Sequence, residues 1–330
     1  MKMFQDCRFL SRNESRPEMK IDIKKVLEGD QLSGARLIRL LEEGEPEGIA
    51  GLKAIFSHTG HTFVLGVTGP AGSGKSTLVD RIIAEFRRRD LKVGVVAVDP
   101  SSPLSGGAFL GDRIRMRQHT EDPGVFIRSM ATRGNMGGLS RTTRETVLVL
   151  DAMGYDVVII ETVGVGQDEV EIAECAHTTA VVSTPGSGDD IQAMKAGLLE
   201  IGDIMIVNKA DRPGSDDEVA RLYGMLEMGT FLEDGWKPPV LKTVAVKGEG
   251  IAELVDVVWS HRQYLIDHGR FDAHNAEQIH RFLKAMVIEK TAGRIFNSTA
   301  YQKMLEEINE RKIDPITAAE KLVAGLLNKF

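Results

Sequence analysis

The sequence predicts an α/β fold, a mostly parallel sheet covered by helices on both faces, with helical extensions at the amino and carboxyl ends. Three observations support this prediction. Short β-branched runs alternate with helix-length stretches over the middle of the chain, a periodic apolar segment precedes them, and residues 271–330 have helical periodicity only. Nearly continuous apolar strands that alternate with helices are typical of a parallel sheet buried on both faces.

The amino-terminal part predicts a helical segment over residues 21–57. Leu37, Ile38 and Leu41 recur at helix spacing, and Asp30 is placed to cap a helix. Residues 1–20 lack the apolar core of a secretory signal, so we interpret them as a flexible arm.

The sheet domain is predicted over residues 58–268. Parallel sheets of this kind bind ligands at the carboxyl ends of their strands, so the polar residues that follow each strand are the candidates for function. Seven runs have the composition of buried strands: 62–68, 93–98, 125–130, 157–161, 178–183, 203–207 and 240–246.

The carboxyl-terminal part, residues 269–330, predicts three amphipathic helices, the last of which opens with Asp314 and Pro315. Three helices of this size do not form a stable domain alone. Their apolar stripes must therefore be buried against the sheet domain or against a second copy, and we expect a homodimer through this segment.

Composition excludes several classes of function. The 330 residues carry a formal charge of −7 and a sequence pI of about 5.7, which gives no general attraction to nucleic acid or to an anionic membrane. No apolar run approaches the ~18 residues that span a bilayer. The two cysteines, Cys7 and Cys175, are too few for a disulfide framework or a thiolate metal site, which favours the cytoplasm.

The most informative segment is GPAGSGKS at residues 69–76, directly after the apolar run HTFVLGVT. It matches the phosphate-binding pattern G-x-x-x-x-G-K-[ST], in which glycines let backbone N–H groups approach an anion at a helix N-terminus. Lys75 is expected to reach the β- and γ-phosphates, and the Ser76 hydroxyl to ligate Mg²⁺. The residues predicted to contact the phosphates are Gly69, Pro70, Ala71, Gly72, Ser73, Gly74, Lys75, Ser76 and Thr77.

A second motif, NKAD at residues 208–211, predicts recognition of guanine and favours GTP over ATP. The Asp211 carboxylate can accept two hydrogen bonds from the guanine ring N–H and amine, Asn208 can hold neighbouring loops, and the Lys209 stem can lie against the purine. In TVAVKGEG at residues 243–250, the backbone N–H groups of Ala245, Val246 and Lys247 are expected to meet the guanine carbonyl.

Two strand ends supply carboxylates for a metal. Mg²⁺ prefers oxygen ligands. Asp99 follows one predicted strand and Glu161 ends another, so Ser76, Asp99 and Glu161 are the predicted ligands. Asp112, in the arginine-rich segment between those strands, is a candidate to approach the γ-phosphate or the metal. The predicted catalytic set is therefore Lys75, Asp99, Asp112 and Glu161. No side chain is an obvious strong base, and Gln167 is only a candidate to orient water, so GTP hydrolysis is expected to be slow alone and faster with a partner.

With GPAGSGKS, DPSSP, ETVGVGQ, STPGSGDDIQAMKAG and NKAD in this order, the chain resembles the MeaB/ArgK family of methylmalonyl-CoA mutase-associated GTPase chaperones. The resemblance implies a phosphate-loop GTPase fold, GTP or GDP with Mg²⁺, and homodimers formed through the carboxyl-terminal helices. It also implies a partner, an adenosylcobalamin-dependent acyl-CoA mutase that the GTPase protects, reactivates or gates for cofactor loading. Within the family pattern, segment 184–195 matches a mobile loop thought to communicate with the mutase.

The chain departs from the family pattern at two positions. Asp168 stands where the family often has serine, and Val244 replaces the usual serine before Ala245, which weakens the assignment of the base contact there. Two other functions stay open. A nickel-insertion GTPase needs clustered cysteine and histidine ligands, which this sequence lacks, and a phosphate-loop kinase needs a base for an acceptor hydroxyl.

Overall fold

The computed structural model describes residues 21–100, 119, 121–132, 141–162, 168–186, 200–228 and 235–327. At its centre is a seven-stranded sheet in the order β3-β2-β4-β1-β5-β6-β7, and every neighbouring pair of strands is parallel. The predicted α/β class is confirmed. The strands are β1 (Phe63–Thr68), β2 (Val93–Pro100), β3 (Val125–Thr132), β4 (Val157–Thr162), β5 (Thr178–Ser183), β6 (Ile204–Asn208) and β7 (Val240–Thr243).

Helices cover both faces of the sheet. In chain order they are α1 (Ile23–Leu27), α2 (Gln31–Glu42), α3 (Pro46–Ile55), α4 (Lys75–Arg88), α5 (Arg141–Ala152), α6 (Asp168–Cys175), α7 (Ser215–Met228), α8 (Ile251–Asp267), α9 (Arg270–Phe296), α10 (Thr299–Asn309) and α11 (Pro315–Leu327).

The apolar alternation of the central strands produces two separate cores. On one face, β1 and β4 pack with α4 and α8 around residues such as Leu65, Ile82 and Val258. On the other face, α2, α5 and α6 pack around residues such as Leu37 and Val158. Because β1 and β4 are buried along their whole length, they form a rigid base for the loops that follow them.

The amino-terminal segment is helical, as predicted, and consists of three α-helices. The breaks occur at Gly29 and Gly44, both with positive φ, a conformation that glycine adopts without steric cost. Asp30 caps α2 as predicted, because its Oδ2 accepts a hydrogen bond from the Ser33 amide at 2.8 Å.

The carboxyl-terminal helices contact the sheet domain through polar and charged side chains of α9. Asn275 Oδ1 lies 2.9 Å from His177 Nε2, and Arg281 pairs with Glu174 at 3.1 Å. The predicted cap of the last helix is confirmed by the Asp314 carboxylate, which accepts from the Thr317 amide at 2.9 Å. Large apolar side chains on α9 nevertheless remain exposed. None of the helices within the described ranges has the length and apolar character needed to cross a bilayer.

The run at residues 240–246 ends as a strand earlier than its composition predicts. β7 stops at Thr243, and Ala245–Lys247 form a 3₁₀ turn closed by Gly248 and Gly250, both in the left-handed region. The Ala245 amide bonds the Asn208 side chain, which draws the chain away from the sheet ladder. This turn lies beside the carboxyl end of β6.

Candidate functional site

The phosphate-binding loop connects β1 to α4 and depends on two glycines with positive φ. Gly69 has φ 138° and lies so close to β5 that a Cβ atom would overlap the carbonyl oxygen of Val182. Gly74, at φ 92°, precedes the first residue of α4, and a Cβ there would lie 2.5 Å from the Asn208 amide nitrogen. Only glycine fits both positions, so the loop conformation follows from the sequence.

Lys75 is the first residue of α4 and is 6% exposed. Its ammonium group donates to the carbonyl oxygens of Gly69 at 2.7 Å and Pro70 at 3.0 Å, which folds the lysine back over the loop. The positive end of α4 lies at the same point. A cation and a helix N-terminus therefore converge at the mouth of the loop, an arrangement suited to an anion.

Ser76 and Glu161 lie together next to Lys75. The Ser76 hydroxyl donates to Glu161 Oε1 at 2.7 Å, and Glu161, near the end of β4, is 4% exposed. A hydroxyl and a carboxylate are the hard oxygen donors that Mg²⁺ prefers, so two of the three predicted metal ligands fit the ion by chemistry and by proximity. Asp99 lies at the carboxyl end of β2, where the structure describes its backbone only.

Several predicted residues cannot be placed. Asp112 and Gln167 lie outside the described residues, as do residues 187–195, which make up most of segment 184–195. In the described part of the chain, no group of three or more histidine, cysteine, aspartate or glutamate side chains is arranged to hold a metal ion.

Asn208 is the centre of the part of the site that the sequence predicts to bind the base. It ends β6, is 2% exposed, and donates from Nδ2 to the Ser73 carbonyl of the phosphate-binding loop at 2.9 Å. Its Oδ1 accepts from the Thr243 hydroxyl and the Ala245 amide, both at 3.2 Å. One amide side chain thus fixes the relative positions of the phosphate-binding loop, the end of β6 and the turn after β7, as the sequence predicted for Asn208.

Lys209 and Asp211 follow on the rim. Lys209 has φ 58°, in the left-handed region, and its ammonium group donates to the Gly72 carbonyl at 2.6 Å, so its stem spans the gap between the two loops. Asp211 is 40% exposed and pairs with Lys247 at 3.3 Å. The carboxylate predicted to read guanine is therefore on the open side of the site, where a purine can reach it.

The turn at Ala245–Lys247 presents fewer N–H groups than the sequence suggests. The Ala245 amide bonds Asn208, and the Lys247 amide bonds the Val244 carbonyl at 2.9 Å. The Val246 amide makes no hydrogen bond with any described residue, and Val246 is 68% exposed. Of the three backbone donors expected to meet guanine, Val246 N–H is the one that is not already engaged.

Sequence reasoning missed Arg81, which joins the site from the second turn of α4. Its Nε donates to the Ala245 carbonyl at 3.2 Å. The sequence places Arg81 six residues after Lys75, but no motif links it to a turn 164 residues later. Only the three-dimensional structure could identify this contact.

The family model described as "Methylmalonyl Co-A mutase-associated GTPase MeaB" matches residues 34–300. The chain belongs to the MeaB family. A protein of Pyrococcus abyssi named as a GTPase is 44% identical to it over 310 residues, covering 92% of this chain and 96% of that protein. The GTPase ArgK of Escherichia coli is 34% identical, covering 91% and 94% of the two chains.

Two further comparisons extend the match. The mouse protein named methylmalonic aciduria type A homolog, mitochondrial, is 32% identical over 256 residues, which cover 76% of this chain and 61% of that protein. A crystal structure of the LAO/AO transport system kinase superposes with a TM-score of 0.67 at 29% identity and covers 92% of this chain and 96% of that one. As a MeaB-family member with named GTPases among its relatives, this chain is a GTPase.

Proposed function

We propose that this GTPase is a chaperone of an adenosylcobalamin-dependent acyl-CoA mutase, with methylmalonyl-CoA mutase as the partner. The proposal is supported by the matching family model, whose description names methylmalonyl-CoA mutase, and by the mouse homolog, whose name refers to methylmalonic aciduria. GTP and GDP differ by one phosphate, enough to order or release loops that contact it. We infer that the nucleotide state changes how the GTPase binds the mutase. Through this change the GTPase protects the mutase, reactivates it or gates its cofactor loading.

The observation that carries the GTP-binding part of the proposal is the convergence of Lys75, Ser76 and Glu161 beside a loop that Asn208 ties to the base-binding turn. On binding, the triphosphate would replace the Gly69 and Pro70 carbonyls as the partner of the Lys75 ammonium group. Ser76 and Glu161, with Asp99, would hold Mg²⁺, which neutralises charge on the β- and γ-phosphates when bound. Asp211 and the Val246 amide would then select guanine.

Hydrolysis needs positioning and charge stabilisation more than covalent chemistry. No described side chain beside Ser76 is a strong base, and we propose that turnover is slow alone and is stimulated when the mutase completes the site. We also propose that the protein is cytoplasmic, because a chain with only two cysteines fits a reducing compartment.

We also propose that the protein is a homodimer through α9, α10 and α11. Contiguous apolar side chains on α9 are exposed, including Leu283 at 60% and Val287 at 54%. Exposed apolar stripes of this kind mark surfaces that bind another protein. A second copy of the chain presents the same stripe and would bury it symmetrically.

A Lys75→Ala variant tests the proposed nucleotide function. The lost ammonium group makes charge-assisted hydrogen bonds to phosphate, so GTP affinity is expected to fall by about a hundredfold or more, and mutase reactivation should be lost with it. The measurements are calorimetry with GTP and Mg²⁺, phosphate release, and recovery of methylmalonyl-CoA mutase activity. Lys53→Ala, an exposed lysine of α3, is the matched control. Full reactivation by Lys75→Ala would contradict the proposal.

A further inference from the structure

Arg81 contacts a peptide group that the nucleotide site uses. It lies on α4, half-buried, and its only hydrogen bond to a described residue is the 3.2 Å contact from Nε to the Ala245 carbonyl. No acidic side chain among the described residues pairs with it. Within the described part of the chain, the polar contact of the guanidinium group is therefore with the turn at Ala245–Lys247.

The geometry of the peptide bond links the Arg81 contact to the Val246 amide. The Ala245 carbonyl and the Val246 amide belong to one planar unit, and because the bond is trans, the oxygen and the hydrogen point in opposite directions. A group that fixes the carbonyl also fixes the direction of the N–H. Arg81 thus contributes to fixing the direction in which the unengaged Val246 N–H points.

The other described contacts of the turn do not connect the Ala245–Val246 peptide to another element of the fold. Asn208 holds the Ala245 amide at 3.2 Å, which belongs to the preceding peptide, and Gly248 shares the Ala245 carbonyl at 3.2 Å from within the turn itself. Val246 is exposed and does not anchor the turn by packing. Arg81 is the described side chain that ties this peptide to a rigid helix.

We propose that Arg81 is a positioning residue for guanine recognition, which holds the Ala245–Val246 peptide so that its N–H meets the guanine carbonyl. The inference rests on the proposed GTP site. Since α4 begins at Lys75, one helix then sets both ends of the bound nucleotide: its first residue faces the phosphates, and Arg81 aims the base contact.

The test is Arg81→Met, which keeps the aliphatic stem and removes the donors. Calorimetry with Mg²⁺ compares three ligands: GTP, GDP, and 2-aminopurine riboside triphosphate, which lacks the carbonyl oxygen of guanine. We expect GTP and GDP to bind about tenfold more weakly and by the same factor, while binding of the 2-aminopurine nucleotide changes by less than about twofold. Arg88→Met, an exposed arginine on the same helix that pairs with Glu85, is the matched control and should leave all three affinities unchanged.

Arg81→Lys keeps a cationic donor and should recover part of the affinity for GTP. If thermal melting shows that Arg81→Met folds poorly, Arg81→Lys takes its place in the test. GTP and GDP should then bind this variant more weakly than wild type, while binding of the 2-aminopurine nucleotide changes little. Equal weakening of all three ligands would mean that Arg81 only stabilises α4, and unchanged GTP affinity would mean that it does not position the turn. Either result overturns the inference. A wild-type protein that binds ATP as tightly as GTP would overturn the guanine site as well.

Discussion

Gly69 illustrates how much of the site depends on a single residue. Its φ of 138° lies outside the range that side chains with a Cβ adopt easily, and its Cα faces the Val182 carbonyl of β5. This close approach lets the loop begin directly at the carboxyl end of β1, against β5. Gly72 also has a positive φ, 79°, but nothing lies within 4 Å of where its Cβ would be.

This difference gives a matched pair of substitutions. Gly69→Ala combines backbone strain with overlap against β5, so we expect it to lower the free energy of unfolding by about 2–4 kcal/mol and to weaken GTP binding. Gly72→Ala carries the strain alone and should cost about 1 kcal/mol. Chemical denaturation measures the loss of stability in each variant. Equal destabilisation would contradict the steric argument.

At the scale of elements, α5 connects the sheet domain to α9. Arg141 pairs with Glu145 of its own helix at 3.1 Å and with Glu289 of α9 at 2.6 Å. Glu145 is 2% exposed, and burial raises its pKa to about 7, although Arg141 opposes the shift and Glu289 adds to it. The helix thus carries a carboxyl group that holds its proton nearly to neutral pH.

The raised pKa predicts a pH-dependent stability. Between pH 4.5 and about 7 the folded protein retains a proton that the unfolded chain releases, so the contribution of Glu145 to the free energy of unfolding falls as pH rises. Glu145→Gln cannot titrate, and its stability relative to wild type should increase by roughly 1–3 kcal/mol from pH 5 to pH 8.

The comparison must be made between variants, because burial lowers the pKa of His177 to about 3 and of His261 to about 4, and both give the opposite slope. Urea denaturation across this pH range measures the difference. Glu253→Gln, at an exposed position on α8, is the matched control. A flat difference for Glu145→Gln itself would refute the assignment.

At the scale of the whole molecule, α9 to α11 form an extension that contacts the sheet domain only in part. Phe271 of α9 is 9% exposed, whereas Ile279, Leu283 and Val287 farther along the helix are 50%, 60% and 54% exposed. A single copy of the chain therefore leaves an apolar stripe in water.

We predict that Leu283→Asp with Val287→Asp converts a dimer into monomers of 36.2 kDa, because each substitution places a charge in the proposed interface. Sedimentation velocity measures the change. Lys284→Asp, an exposed neighbour on the same helix, is the control and should stay dimeric. If the wild-type protein sediments only as a monomer, the dimer proposal is wrong.

The sequence predicted the sheet and the loops that follow its strands well, because both depend on local patterns. Continuous apolar runs marked all seven strands, and the fixed spacing of GPAGSGKS and NKAD marked the loops. It could not predict which side chains meet across the fold. The contacts of Ser76 with Glu161 and of Arg81 with Ala245 join residues 85 and 164 positions apart, and no local pattern encodes them.

The central position of β1 has a consequence for how the chain acquires its structure. β1 is bordered by β4 and β5, and its register pairs Phe63 with Val157 and Leu65 with Thr178. During synthesis on the ribosome, the first strand must therefore wait until about residue 183 has left the exit tunnel before both of its edges are covered. Such late, distant pairing is slow and leaves apolar strand edges exposed to aggregation in the meantime. A nascent chain of this GTPase thus gains its phosphate-binding loop only after more than half of its length has been made.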